Sequence, residues 1–186
     1  MRIIGGALKR RKLYFPKTIQ TRPVTDRAKE TIFNVLGTTC ESAVVLDLFA
    51  GSGSLGIEAL SRGASEVYFV DHAQAALFCI ERNLKMLSLQ PSSYLLRAPV
   101  LNAISKLEKQ GKRFNLVFLD PPHNKGLIKK VLHRLSHSDI VSPFGNIVVG
   151  HSNQESLPEN LETISNQRSI KLGQTFLSFL VKAGDP

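Results

Sequence analysis

Apolar residues recur along this chain in two alternating rhythms. Short runs rich in branched and aromatic side chains, at 44–48, 67–70, 94–96, 114–119 and 146–149, read as strands, the first of them buried. Between them the apolar spacing turns helical. Leu55, Ile57, Ala59 and Leu60 fit one helix, and Ala76, Ile80, Leu84 and Leu87 line the inside of another over 73–89. A third helix runs from about 101 to 110 and stops at Gly111, and a fourth carries Leu127, Ile128, Val131, Leu132 and Leu135. Upstream, Thr25 or Asp26 can cap a helix whose inner stripe is Ala28, Ile32, Val35 and Leu36, ended by Gly37, with Arg27 and Lys29 left outside. Downstream, Ser152-x-x-Glu155 has the form of a capping box on a short helix, and strands at 169–172 and 175–182 flank a tight Gly173-Gln174 turn. Strand and helix alternating in this way predict an α/β fold with a largely parallel sheet.

Length and composition narrow the class without naming it. The 186 residues suffice for one domain, with 42% hydrophobic and 21% charged residues, and no apolar run reaches the roughly 18–20 residues of a membrane span. Cys40 and Cys79 stand alone, without metal or redox spacing, which fits buried thiols in a reducing, cytoplasmic setting. Charge changes the picture more. The net charge is +9, and the first 30 residues hold nine basic side chains against two acids, which is +7. A concentrated basic segment beside a neutral body is the footprint of a nucleic-acid enzyme, with a solvated, solubilising tail as the alternative. Residues 1–22 are therefore read as a basic hairpin or arm, and 23–186 as the catalytic domain. Tyr14 and Phe15 either stack on bases or anchor that arm to the core.

The candidate chemistry sits at two strand ends. Gly51-x-Gly53-x-x-Gly56 follows the first strand, and Asp71 lies 20 residues after Gly51 at the end of the second. That pattern also satisfies a dinucleotide fingerprint, so a nicotinamide enzyme competes for it. Asp47, four positions before Gly51, discriminates: a carboxylate beside the turn opposes a pyrophosphate and welcomes an ammonium. Asp47-x-Phe49-x-Gly51-x-Gly53 resembles the cofactor loop of class I S-adenosylmethionine-dependent methyltransferases. The second site is Asp120-Pro121-Pro122-His123, where two prolines end the fourth strand in a stiff loop. Asp120 and the Pro121 carbonyl can accept from an exocyclic base amine, and His123 can stack on a flipped base.

Taken together, Arg2-Ile-Ile-Gly-Gly, Glu30-Thr-Ile-Phe-Asn, Arg22-Pro-Val-Thr-Asp-Arg27, the loop from Asp47 through Gly53, Leu55 through Ala64, and Asp120-Pro-Pro resemble the bacterial RsmD family over residues 1–183. The resemblance implies a class I, Rossmann-like fold with a seven-stranded, mostly parallel sheet and an N-terminal hairpin. It implies S-adenosylmethionine as methyl donor, no metal, and the exocyclic N2 of a guanine in 16S ribosomal RNA as acceptor; that RNA is expected within a small-subunit assembly particle, and the enzyme is expected to act as a monomer. Asp47, Phe49, Gly51, Gly53, Asp71 and His72 would then hold the cofactor. Asp120, Pro121, Pro122 and His123 would handle the base, and Arg10, Arg11, Lys12, Arg22 and Arg27 would meet RNA phosphates. Two departures stand out: His123 replaces a larger aromatic, and Arg97-Ala98-Pro99 lacks the acid or amide usual after the third strand. An adenine-N6 methyltransferase and a non-catalytic assembly factor remain as alternatives.

Overall fold

A computed structural model describes residues 1–15, 24–122 and 126–184. Along these, helices α1 (Asp26–Leu36), α2 (Ser54–Ser61), α3 (Gln74–Leu87), α4 (Val100–Lys109) and α5 (Leu127–Ser136) alternate with strands β1 (Val44–Leu48), β2 (Glu66–Asp71), β3 (Ser93–Arg97), β4 (Phe114–Leu119) and β5 (Val141–Ser152). The antiparallel pair β6 (Ile164–Leu172) and β7 (Thr175–Lys182) completes the chain. The seven strands form one sheet in the order β3-β2-β1-β4-β5-β7-β6. The first five are parallel, while β7 runs antiparallel to both β5 and β6. Direction of travel reverses between β1 and β4, so a crevice opens at their carboxyl ends, where open α/β sheets take their ligands.

The two-residue period of the strands divides the core. Val45, Val67, Phe69, Leu116, Phe118 and Val148 face the layer built by α1, α2 and α3. Leu46, Leu48, Tyr68, Val70, Val117, Leu119, Ile147 and Val149 face α4 and α5. Asp47 shares parity with Val45, Asp71 with Phe69, and Asp120 with Phe118. One face of the sheet thus carries three acids at its carboxyl edge.

The N-terminal segment packs onto α2 and α3. An antiparallel bridge joins Arg2 to Lys12, the Ile3 amide donates to the Arg11 carbonyl at 2.9 Å, and Ile3 and Leu13 enter the first core layer. Gly6, at φ +72°, lies so close to the end of α2 that a β-carbon there would sit 1.8 Å from the Ser61 carbonyl oxygen. The basic turn is held up by an apolar footing of its own, and Tyr14 is fixed through its backbone rather than left free.

Three expectations fail here. Ser152-x-x-Glu155 starts no helix: Ser152 ends β5 paired with Thr175, and its hydroxyl receives the Gln154 amide in a local turn. Strand pairing over-rules a cap pattern that suits a turn equally well. In α1, which Thr25 caps, Val35 is exposed and Phe33 takes the buried place against Phe118. Lys29 is not on the outer face but wholly buried. Its stem spans the α1–α2 contact and brings the ammonium to Glu58, 3.5 Å away, with the Arg2 carbonyl accepting a second bond.

Candidate active site

The glycine loop is shaped by its backbone. Phe49, Gly51 and Gly53 all take left-handed φ values, of 61°, 55° and 76°. A phenylalanine in that region carries strain of about 1–3 kcal/mol, so the fold holds this turn against a local preference. Gly53 caps α2, and Gly56 one turn later lies flat on β2, where a β-carbon would come within 2.4 Å of the Phe69 ring. Helix and strand approach that closely only over glycine.

Both acids of the loop are engaged. Asp47 is buried and accepts from the Gly56 amide at 3.0 Å. Burial pushes its carboxyl up to about 7, and Asp120 and Asp71 push the same way, against the Gly56 hydrogen bond. Asp71 accepts from the Gly51 amide through one oxygen and from the Ala73 amide through the other, each at 2.9 Å. A carboxylate offers about four acceptor positions, so Asp71 retains capacity for two hydroxyl donors. His72 stands beside it at 3.5 Å with an exposed ring. After the third strand the Ala98 amide donates to the Asp71 carbonyl at 3.1 Å and Pro99 opens α4. Two carboxylates, two turn glycines and adjoining backbone suit a ligand with an ammonium group and ribose hydroxyls, and oppose a pyrophosphate.

Asp120 leaves the end of β4 beside this loop, followed by buried Pro121 and half-buried Pro122. It lines a cleft of about 590 Å³ together with Gly150, Leu55, Thr25, Gln174 and Leu177. The structure therefore brings Asp47, Gly51, Gly53, Asp71, Asp120 and Pro121 to one edge. Arg10, Arg11, Lys12 and Arg27 are exposed, the first three on the N-terminal turn and Arg27 in the first turn of α1, whose capping Thr25 lines the cleft. His123 and Arg22 lie outside the described residues.

Two further buried residues support the site without having been picked out in the sequence. Glu58, buried in α2, receives the amides of Ile4 and Gly5 at 2.9 and 2.7 Å, Arg62 at 3.1 Å and the Lys29 ammonium. Asn83, buried in α3, receives the Tyr14 amide at 2.7 Å and donates to the carbonyls of Tyr14 and Ser52 at 3.0 and 3.3 Å. It ties the N-terminal segment directly to the glycine loop. Asn83 betrays itself as a polar residue inside the apolar stripe of Ala76, Ile80, Leu84 and Leu87; Glu58 does not, because its helical neighbours include Ser54, Ser61 and Arg62.

Comparison with known proteins agrees with this geometry. Residues 1–181 match the family described as Conserved hypothetical protein 95. YlbH of Bacillus subtilis is 36% identical over 184 residues, which cover 99% of this chain and all of that one. Ribosomal RNA small subunit methyltransferase D of Escherichia coli strain K12 is 37% identical over 174 residues, covering 94% and 86%. The solved structure of yhhF from Escherichia coli superposes with a TM-score of 0.88 at 30% identity, covering 100% of this chain and 99% of its own. An RNA methyltransferase from Salinibacter ruber in complex with S-adenosyl-L-homocysteine shares the fold, with a TM-score of 0.69 at 12% identity over 89% and 96%. The chain accordingly has the class I, Rossmann-like methyltransferase fold and belongs to the Conserved hypothetical protein 95 family, the RsmD family of ribosomal RNA methyltransferases.

Proposed function

We propose that this enzyme transfers a methyl group from S-adenosylmethionine to the exocyclic N2 of a guanine in small-subunit ribosomal RNA, acting as a monomer on an assembling subunit. The observation that carries the reading is the alignment of Asp47, Asp71 and Asp120 on one face of the sheet, at its switch point, between a glycine loop and a Pro-Pro loop. The family's curated relatives, named as small-subunit ribosomal RNA methyltransferases, support it.

The cofactor supplies an electrophilic methyl on a sulfonium sulfur. Asp47 presents its carboxylate to the ammonium end, and Asp71 accepts from the ribose hydroxyls while the Gly51 amide fixes its orientation. Gly51 and Gly53 let backbone come close. His72 and the Phe49 ring border the loop. On the acceptor side, a base amine is a weak nucleophile because its lone pair is delocalised into the ring. Asp120 and the Pro121 carbonyl would accept hydrogen bonds from its two N–H groups, which favours the pyramidal nitrogen that attack requires. The Asp120 carboxylate also stabilises the positive charge that develops on nitrogen. Pro122 stiffens the loop, and His123 stacks on the base. Arg10, Arg11, Lys12, Arg22 and Arg27 lie along the phosphates.

Labelled S-adenosylmethionine and small subunits from cells lacking the enzyme provide the test, with nucleoside analysis of the product. N2-methylguanosine is the expected product. N6-methyladenosine would transfer the reading to an adenine acceptor, and no incorporation despite cofactor binding would defeat it.

A further inference from the structure

A glycine inside a strand marks either an irregular backbone or a close approach. Gly150 interrupts the run Ile147-Val148-Val149 in β5, pairs in register with Leu177 of β7, and is buried. Its φ lies outside the left-handed region, so its backbone asks for no glycine. The space above it does. A β-carbon on Gly150 would lie 2.3 Å from Asp120 Oδ1 and 3.1 Å from its Cγ. Parity puts this bare position on the same face as Val148 and Ser152, and all three line the cleft with Asp120.

We propose that Gly150 is the positioning residue for Asp120: by presenting no side chain, it lets the carboxylate lie across β5 and face the acceptor amine. The inference rests on the function proposed above. It accounts for a glycine where β-branched residues would make the better strand, and it explains how an aspartate just beyond β4 has one defined place. Proline rigidity fixes the backbone that follows Asp120, and the floor of β5 fixes its side chain. A methyl group at position 150 meets the far end of a short side chain, so the carboxylate is expected to swing aside while the strand stays intact.

Gly150→Ala tests this on the full chain. The expected result is a kcat on undermethylated small subunits about a hundredfold lower, the scale on which small misplacements act. The KM for subunits and the Kd for S-adenosylmethionine should stay within about twofold of the parent. Wild-type kcat in a folded Gly150→Ala protein would overturn the inference. Should the variant lower Tm, adding Asp120→Ala is expected to restore it, because the group that the methyl meets is then gone. A loss of Tm that persists in the double variant would overturn the inference as well. Absence of methyl transfer by the parent enzyme would count against the proposed reaction instead, while the stability cycle still tests the contact.

Discussion

Asp47 shows how burial alone can give a common side chain an uncommon property. An aspartate that ordinarily ionises near 3.8 is pushed up to about 7, chiefly because burial penalises its charge. Its folded form therefore holds a proton through a window in which the unfolded chain has lost it. Stability from this group is present in full below about pH 4 and disappears as pH rises through about 7. Unfolding measured from pH 4 to 8 should show the parent losing stability relative to Asp47→Asn as pH increases. Cofactor binding has the opposite slope, since an ammonium prefers the ionised carboxylate: affinity rises towards pH 7, with proton release visible by calorimetry in buffers of different ionisation enthalpy. Asp120 carries a separate prediction. Asp120→Ala should lower kcat by at least about 10²–10³, the scale for removing one group that stabilises developing charge, and leave S-adenosylmethionine affinity intact. Lost cofactor binding in that variant would refute its assignment to the acceptor.

Helix α2 works at both ends. Its first turn carries the glycine loop, and its last holds the N-terminal segment through Glu58 and Ser61, whose hydroxyl receives the Leu8 amide at 2.9 Å. Glu58 and Lys29 are both fully buried, and removing one partner of such a pair leaves the other charge uncompensated. Glu58→Ala should therefore cost about 3–5 kcal/mol in urea unfolding. Hydrogen exchange at Ile4 and Gly5 should accelerate. Glu58→Gln, which keeps one acceptor oxygen for either the Ile4 or the Gly5 amide, should cost less.

The molecule as a whole sorts its charge by depth. The first 30 residues carry a net +7, yet Lys29 is matched inside by Glu58 and Arg2 outside by Asp26 at 3.0 Å. Among the described residues, Lys9, Arg10, Arg11 and Lys12 around the N-terminal turn and Arg27 on α1 are exposed. Each phosphate contact contributes about 0.9 to the salt dependence of binding. Replacing Arg10, Arg11 and Lys12 together by Ala should lower the slope of log affinity against log salt by about 3 in RNA titrations, without altering cofactor affinity. An unchanged slope would remove this turn from the RNA interface.

The sequence by itself determined the order of strands and helices as far as β5, the glycine turn after Asp47 and the Asp-Pro-Pro sequence that follows β4. Hydrophobic period and turn chemistry are properties of neighbouring residues, and they survive without a partner. Phe114–Leu119 was legible to the residue for that reason. Only the tertiary structure decided what depends on distant parts of the chain: that Lys29 turns inward to Glu58, that Asn83 straps Tyr14 to Ser52, and that the Asp120 carboxylate rests over Gly150. Ser152-x-x-Glu155 marks the boundary between the two. Its local pattern suits a helix cap and a turn alike, and pairing with Thr175, 23 residues on, chooses the turn. Such choices turn on whether a polar group finds a partner when it is buried, and the partner comes from another element.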